Sequence, residues 1–171
     1  VEDGAIVVEK GKPSLLVTTT QFANYELKVQ FRCDPTTNSG IFLATGPEPG
    51  DVATECYELN IAGMDNPFPT GSLVKRQKVS DDLNTSDWQS YHVRVESGHV
   101  VVELDGKTVL DYTDPAPIRR GHIGLQLNKG KVEFRDIQLK PLGLANVFNG
   151  KDLTGWKTYP DMDSKFVVKE D

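Results

Sequence analysis

Apolar and polar residues alternate along this chain with a period of two, and nowhere do apolar residues recur convincingly at the spacing of a helix face over ten or more positions. From Glu26 to Cys33, the residues Leu27, Val29, Phe31 and Cys33 alternate with Glu26, Lys28, Gln30 and Arg32. Successive side chains of a strand point to opposite faces, so this run buries one face and wets the other, as a half-buried antiparallel strand does. Tyr91, Val93 and Val95 alternate with His92, Arg94 and Glu96 in the same way, and 39–45 (SGIFLAT) and 56–62 (CYELNIA) read as two further short strands. The opening VEDGAIVVEKG reads as a turn followed by a strand.

The punctuation agrees with strands. Asp105-Gly106 stands between the runs Val100–Leu104 and Lys107–Tyr112. A two-residue hairpin turn of this kind needs positive φ at both positions, which Asp-Gly tolerates. Asn128-Lys129-Gly130 separates Ile123–Leu127 from Val132–Leu139, a second hairpin. In the latter strand the alternation fails once, between Phe134 and Ile137, and a bulge near Arg135-Asp136 restores it. Ten prolines and fifteen glycines interrupt the runs. Many short strands with turn signals between them predict an all-β, two-sheet sandwich. The 171 residues suffice for one well-filled domain. Long irregular stretches at 46–55 and 63–72 are where a rigid sandwich carries binding or chemistry.

The charge limits the partners. Lys and Arg number 19 against 25 Asp and Glu, a net charge of -6, which lacks the basic footprint that nucleic acid demands. No apolar stretch approaches the ~18 residues of a membrane span. There is no basic-then-apolar leader, so a signal peptide is either already removed or outside this sequence. Cys33 and Cys56 each border a strand-like run and are the disulfide candidate; the alternative is two small apolar side chains. With His92, His99 and His122 they make no zinc-ligand spacing, and Asp161-Met162-Asp163 is too sparse for a calcium loop. No metal and no cofactor is expected.

Five phrases stand out: NSGIFL (38–43), CYELNI (56–61), GHIGLQ (121–126), VEFRDIQLKPL (132–142) and FNGKDLTGW (148–156). Together they resemble the 3-keto-disaccharide hydrolase family over nearly the whole chain. The resemblance implies a concanavalin A-like jelly-roll sandwich, a glycan-processing role, and secretion or a periplasmic location in bacteria. One departure is order, since the family's opening motif lies here at the C-terminus. Another is Ala44, where many relatives carry Arg after the NSGIFL run.

The implied chemistry is cleavage of glycosides already oxidised to a 3-ketone. The ketone acidifies the hydrogen at C2, so a base removes it and the C1 substituent leaves by β-elimination. Such a site needs a base poised near working pH, a donor for the enolate oxygen and an acid for the leaving group. A non-catalytic carbohydrate-binding sandwich is the alternative; it needs aromatic platforms and amides but no tuned acid.

In CYELNI, Glu58 and Asn60 share one strand face and project together; a plain polar outer face gives the same pattern. The resemblance implies an acid and an amide at these two positions, with Glu58 the base and Asn60 binding substrate. Lys75 in LVKRQ is the candidate electrophile or oxyanion partner, and His92 the candidate proton shuttle. Asn38 opens an Asn-Ser-Gly run that reads as a turn, its amide a candidate for the groove. Gln126, on one face with His122, is a candidate ligand hydrogen-bonder on the resemblance. Trp88 and Trp156 offer flat surfaces to a sugar ring, or else serve the core.

Domain organisation follows the motif order. Residues 1–142 form a sandwich short of its first strands, 143–146 a linker, and 147–171 a segment resembling those strands. The expectation is that this tail completes the sandwich, with Val147 and Phe148 beside the Phe134–Leu139 strand and Phe166 and Val168 leading toward Ile6 and Val8. The donor is the same chain, a permuted monomer, or a neighbour, a strand-swapped dimer.

Overall fold

The computed structural model describes residues 4–161 and 164–169. Ten strands form two antiparallel sheets: β1 (Ile6–Val8), β2 (Ser14–Val17), β3 (Tyr25–Cys33), β4 (Asn38–Thr45), β5 (Tyr57–Ala62), β6 (Gln89–Glu96), β7 (His99–Leu104), β8 (Lys107–Thr113), β9 (His122–Lys129) and β10 (Val132–Pro141). The large sheet has the order β1-β10-β3-β6-β7-β8 and the small sheet β2-β9-β4-β5. This is the expected all-β sandwich. Among the described residues no helix is long and apolar enough to cross a membrane.

The alternation does what it predicts. Tyr25, Leu27, Val29 and Phe31 of β3 and Tyr91, Val93 and Val95 of β6 face inward, against Ile41, Leu43, Tyr57, Leu59, Ile61 and Ile123 from the small sheet. Phe31 stacks on Tyr91 at 4.7 Å between ring centroids. The Tyr91 hydroxyl crosses between the sheets: it donates to the Asn60 carbonyl at 2.9 Å and accepts from the Gly71 amide at 2.8 Å. A buried hydroxyl with both capacities used fixes its neighbours rather than straining them. Here it ties β5 to the loop that follows.

The Asp-Gly hairpin and the bulge also hold, but Asn128-Lys129-Gly130 is not a hairpin: β9 lies in the small sheet and β10 in the large one, so this turn carries the chain from one sheet to the other. Asp105 and Gly106 have φ of 50° and 80°, the left-handed pair that a two-residue hairpin requires. The β10 register shifts between Arg135 and Gln138, the expected bulge, with Asp136 at φ 49°.

Three further expectations are corrected. Asn38-Ser39-Gly40 is not a turn but the start of β4, paired with β5 from Asn38↔Ala62 onward. Cys33 and Cys56 are free thiols. They belong to different sheets, Cys33 ending β3 and Cys56 preceding β5, and Cys33 donates to Asn84 at 3.2 Å. Each serves as a small buried side chain instead.

The third concerns the tail. Within this chain, described residues of 147–171 add no strand to either sheet. Asn149 Oδ1 accepts from the amides of Lys151 and Asp152, Asp152 Oδ1 accepts from the Thr154 amide, and the Trp156 indole donates to the Val147 carbonyl. These side-chain turns occupy backbone groups that strand pairing needs, so 147–156 closes on itself. Met162, Asp163, Glu170 and Asp171 lie outside the described residues.

Candidate functional site

The outer face of the small sheet carries the site. Gly40 and Phe42 of β4, Glu58 and Asn60 of β5, Gly124 and Gln126 of β9 and Leu15 of β2 alternate away from the core. Register places Phe42 opposite Glu58, and Gly40 opposite both Asn60 and Gln126. Leu15 pairs with Gln126. A groove of about 460 Å³ runs over this face, with Phe42, Leu15, Pro47, Pro49, Val52 and Gln126 among its lining.

Loops turn a polar sheet face into a buried one. The segment after β5 folds back along its free edge: Ser72 accepts from the Asn60 amide, and the Val74 amide donates to the Glu58 carbonyl at 3.0 Å. The result leaves Glu58 8% exposed and Asn60 2% exposed. Burial pushes the Glu58 carboxyl above its ordinary range, while the Gln126 amide beside it and the charge of Lys75 pull the other way. A desolvated carboxylate with an amide on one side and a cation on the other is the environment that tunes a general base.

Lys75 is at the rim. It occupies a tight turn with φ 60°, closed by bonds from the Arg76 and Gln77 amides to the Leu73 carbonyl. Its ammonium pairs with Asp51 at 3.1 Å, linking this turn to the 46–55 loop. Asp51 is held below the usual carboxylate range, first by the Ala53 amide and then by Lys75.

Beneath the rim lies a buried strut that the sequence did not disclose. Arg76 and Asp114 approach to 3.7 Å with side chains only 6% and 7% exposed. The Arg76 guanidinium also packs on the Tyr57 ring at 4.5 Å and donates to the Val52 carbonyl at 2.6 Å. One side chain thus connects β5, the 46–55 loop and the 114–118 segment.

The other candidates divide. Asn60 spends its amide nitrogen on the Phe68 carbonyl and leaves its buried Oδ1 without a partner, so it anchors the covering loop. Gln126 lines the groove, and its buried Oε1 lacks a partner. Asn38 lies on β4, half-buried and two residues from Gly40. His92 and Trp88 are corrected. His92 belongs to β6 in the large sheet, across the sandwich from Glu58, with Nδ1 at 3.2 Å from Glu103. Trp88 is taken by two guanidinium groups, with Arg32 and Arg135 at 4.8 and 3.8 Å from its ring centroid. Trp156, 55% exposed, lies in the tail. Ala44, where the resemblance expects Arg, has φ 52° and packs into the core at the end of β4. Phe42 and Leu15 were missed as site residues, although Gly40 and Phe42 alternate with Ile41 and Leu43. Among the described residues no group of three or more metal-ligating side chains occurs.

Comparison with known proteins gives a family and a shared fold. Residues 1–140 match the family described as the 3-keto-alpha-glucoside-1,2-lyase-like domain. Two structures from Parabacteroides distasonis, both provisionally described as glycosyl hydrolases, are similar in fold. One has 20% identity and a TM-score of 0.71, covering 84% of this chain and 82% of its own. The other has 22% identity and a TM-score of 0.69, covering 82% and 88%. A carbohydrate-binding module, CBM66 from Bacillus subtilis, shares the fold at 11% identity and a TM-score of 0.62, over 78% and 85%. No curated protein matches the sequence.

Proposed function

Because the chain belongs to the 3-keto-alpha-glucoside-1,2-lyase-like family, we propose that it cleaves 3-keto-glycosides at the outer face of the small sheet, where Phe42, opposite Glu58, lines the groove. The observation that carries this is the Glu58 carboxylate, buried to 8% exposure on a sheet face beside a groove. Burial raises its affinity for a proton, which is what a base for a carbon acid needs.

In the proposed step the Glu58 carboxylate takes the proton from C2 of the sugar. The C–H electron pair becomes a C2=C3 enolate, and the charge moves to the C3 oxygen. Lys75 supplies the positive charge for that oxygen. Collapse of the enolate restores the ketone, forms a C1=C2 double bond and expels the C1 substituent, whose oxygen takes the proton that Glu58 removed, which restores the carboxylate. The products are an unsaturated 3-keto sugar and a free alcohol or sugar; addition of water to the former completes a net hydrolysis. Gln126 lines the groove with a buried, unpartnered acceptor oxygen, which a small rotation of the side chain presents to a sugar hydroxyl. Phe42 and Leu15 pack against the ring.

The test is to incubate the purified chain with a 3-keto-glucoside and with its unoxidised parent. Release of the aglycone from the ketone alone supports elimination. Saturable binding of sugar with no turnover of either selects a carbohydrate-binding module instead. The secreted or periplasmic location expected from the resemblance belongs to this proposal and is checked by fractionating the producing cells.

A further inference from the structure

Two unsatisfied features lie far apart in the sequence. The first is the β1 edge. β1 pairs with β10 through Ile6↔Phe134, Val7↔Glu133 and Val8↔Val132, and among the described residues no strand lies beside its other edge. Ile6 and Val8 pack against the core from this edge. Next to it the sandwich is open: a cleft of about 200 Å³ between the sheets is lined by Ile6, Val8, Leu16, Leu125, Leu127 and Phe134, among others. Leu16, on the other sheet's edge strand, is 58% exposed. An edge with free amides and carbonyls beside uncovered apolar surface is a template for strand addition.

The second is the segment 164–169 (Ser-Lys-Phe-Val-Val-Lys). It is without secondary structure, with Phe166 64% and Val167 63% exposed. It is short, β-branched and aromatic, the composition of a strand that has no sheet.

We infer that this segment of one copy of the chain adds as an antiparallel strand to the β1 edge of a second copy. Facing residues in an antiparallel pair share a side of the sheet. Ile6 and Val8 point inward, so their partners must be apolar. Setting Val168 opposite Ile6 and Phe166 opposite Val8 satisfies this, with Val167 opposite Val7 on the outer side. The same register sets Lys165 opposite Glu9, which is exposed and, among the described residues, has its neighbour Lys10 as its one ionic partner, at 3.7 Å. A slip of one residue either way turns a lysine into the core, and a slip of two toward the N-terminus sets Ser164 opposite Val8, so this register buries the most apolar surface. The single chain leaves both the edge and the segment open, and exchange between two copies closes both at once in an isologous pair. The Phe166 ring then covers the cleft beside Leu16. This inference does not depend on the catalytic reading.

The test uses the full chain. Sedimentation velocity between about 1 and 100 µM should show a monomer–dimer equilibrium, and Phe166→Asp should shift it to monomer by at least tenfold in dissociation constant, as should Val167→Pro. Phe166 is exposed, so its replacement leaves the sandwich folded. A mixture of a Val7→Cys chain with a Val167→Cys chain should form an intermolecular disulfide on mild oxidation, since Cys33 and Cys56 are buried. A monomer at every concentration overturns the inference. So does a dimer insensitive to both tail substitutions, the absence of a cross-link in the mixture, or a double variant that cross-links only within itself.

Discussion

Glu58 extends over Gly40: a β-carbon at residue 40 would stand 3.3 Å from Glu58 Cγ and 3.5 Å from Oε1. Gly40 lies on β4, between the strand that carries Glu58 and the strand that carries Gln126. The missing side chain is what lets a carboxylate and an amide two strands apart meet over the middle one. Strands are spaced about 4.8 Å apart, so the two backbones are roughly 10 Å from each other.

Gly40→Ala should therefore act on both stability and the site. The added carbon would also meet the Leu59 carbonyl at 3.1 Å, which is backbone and cannot swing away. A loss of about 1–3 kcal/mol is expected, the usual cost of overpacking, together with a large drop in turnover. Thermal denaturation and kinetics on the same sample check both. An unchanged melting temperature would show that the strand accommodates the methyl group.

The raised carboxyl of Glu58 predicts the sign of a pH effect. Its folded-state value lies above the ordinary 4.5, so the folded protein binds the proton more tightly than the unfolded chain. The associated stability is present below about 4.5 and is lost as pH rises through the folded value. Glu58→Gln removes this dependence, so the variant should be more stable than the parent at neutral pH, with the gap closing toward pH 4. Denaturant titrations across pH 4–8 check it; a variant less stable at pH 7 contradicts it.

Arg76 and Asp114 are predicted to be costly to separate. Removing one partner of a buried pair leaves the other charge without compensation, at about 3–5 kcal/mol. Arg76→Met should destabilise on that scale and should also loosen the 46–55 loop, because the Val52 carbonyl loses its donor. Amide exchange in residues 51–55, faster than in the parent, is the specific readout. Unfolding at the parent's denaturant midpoint would contradict the strut.

Most strands and the Asp105-Gly106 turn were legible because their causes are local, whereas Asn128-Lys129-Gly130 looks like a hairpin and instead joins the two sheets. The alternation in 26–33 and 91–96, Asp105-Gly106 and the broken period at Arg135-Asp136 each carry their physical reason within a few residues. The shared face of Glu58 and Asn60 followed in the same way. What the sequence could not convey depends on the pairing order of strands far apart in the chain. His92 alternates like a site residue but belongs to the other sheet. Trp88 gives no sign of the two arginines, 56 residues and 47 residues away, that cover its ring. Arg76 and Asp114 become partners only when the loop after β5 packs beneath the rim.

The cysteines give a redox prediction. Both thiols are buried; burial raises the proton affinity of Cys33 and pushes Cys56 up to about 12. The thiolate is the reactive form, so thiol reagents should label the native protein slowly and the unfolded protein at once. A reductant should leave the melting temperature unchanged. A drop on reduction would mean that a bridge forms after all.

The assignment of Glu58 as the base is tested most directly by turnover of one 3-keto-glucoside by the parent protein and by Glu58→Gln, both verified as folded. The account predicts that the parent releases the aglycone from the ketone and not from its unoxidised counterpart. It predicts that the variant loses about 10²-fold or more in kcat, the scale of a positioned base. A variant within a few-fold of the parent, or equal cleavage of the unoxidised glucoside, would contradict it.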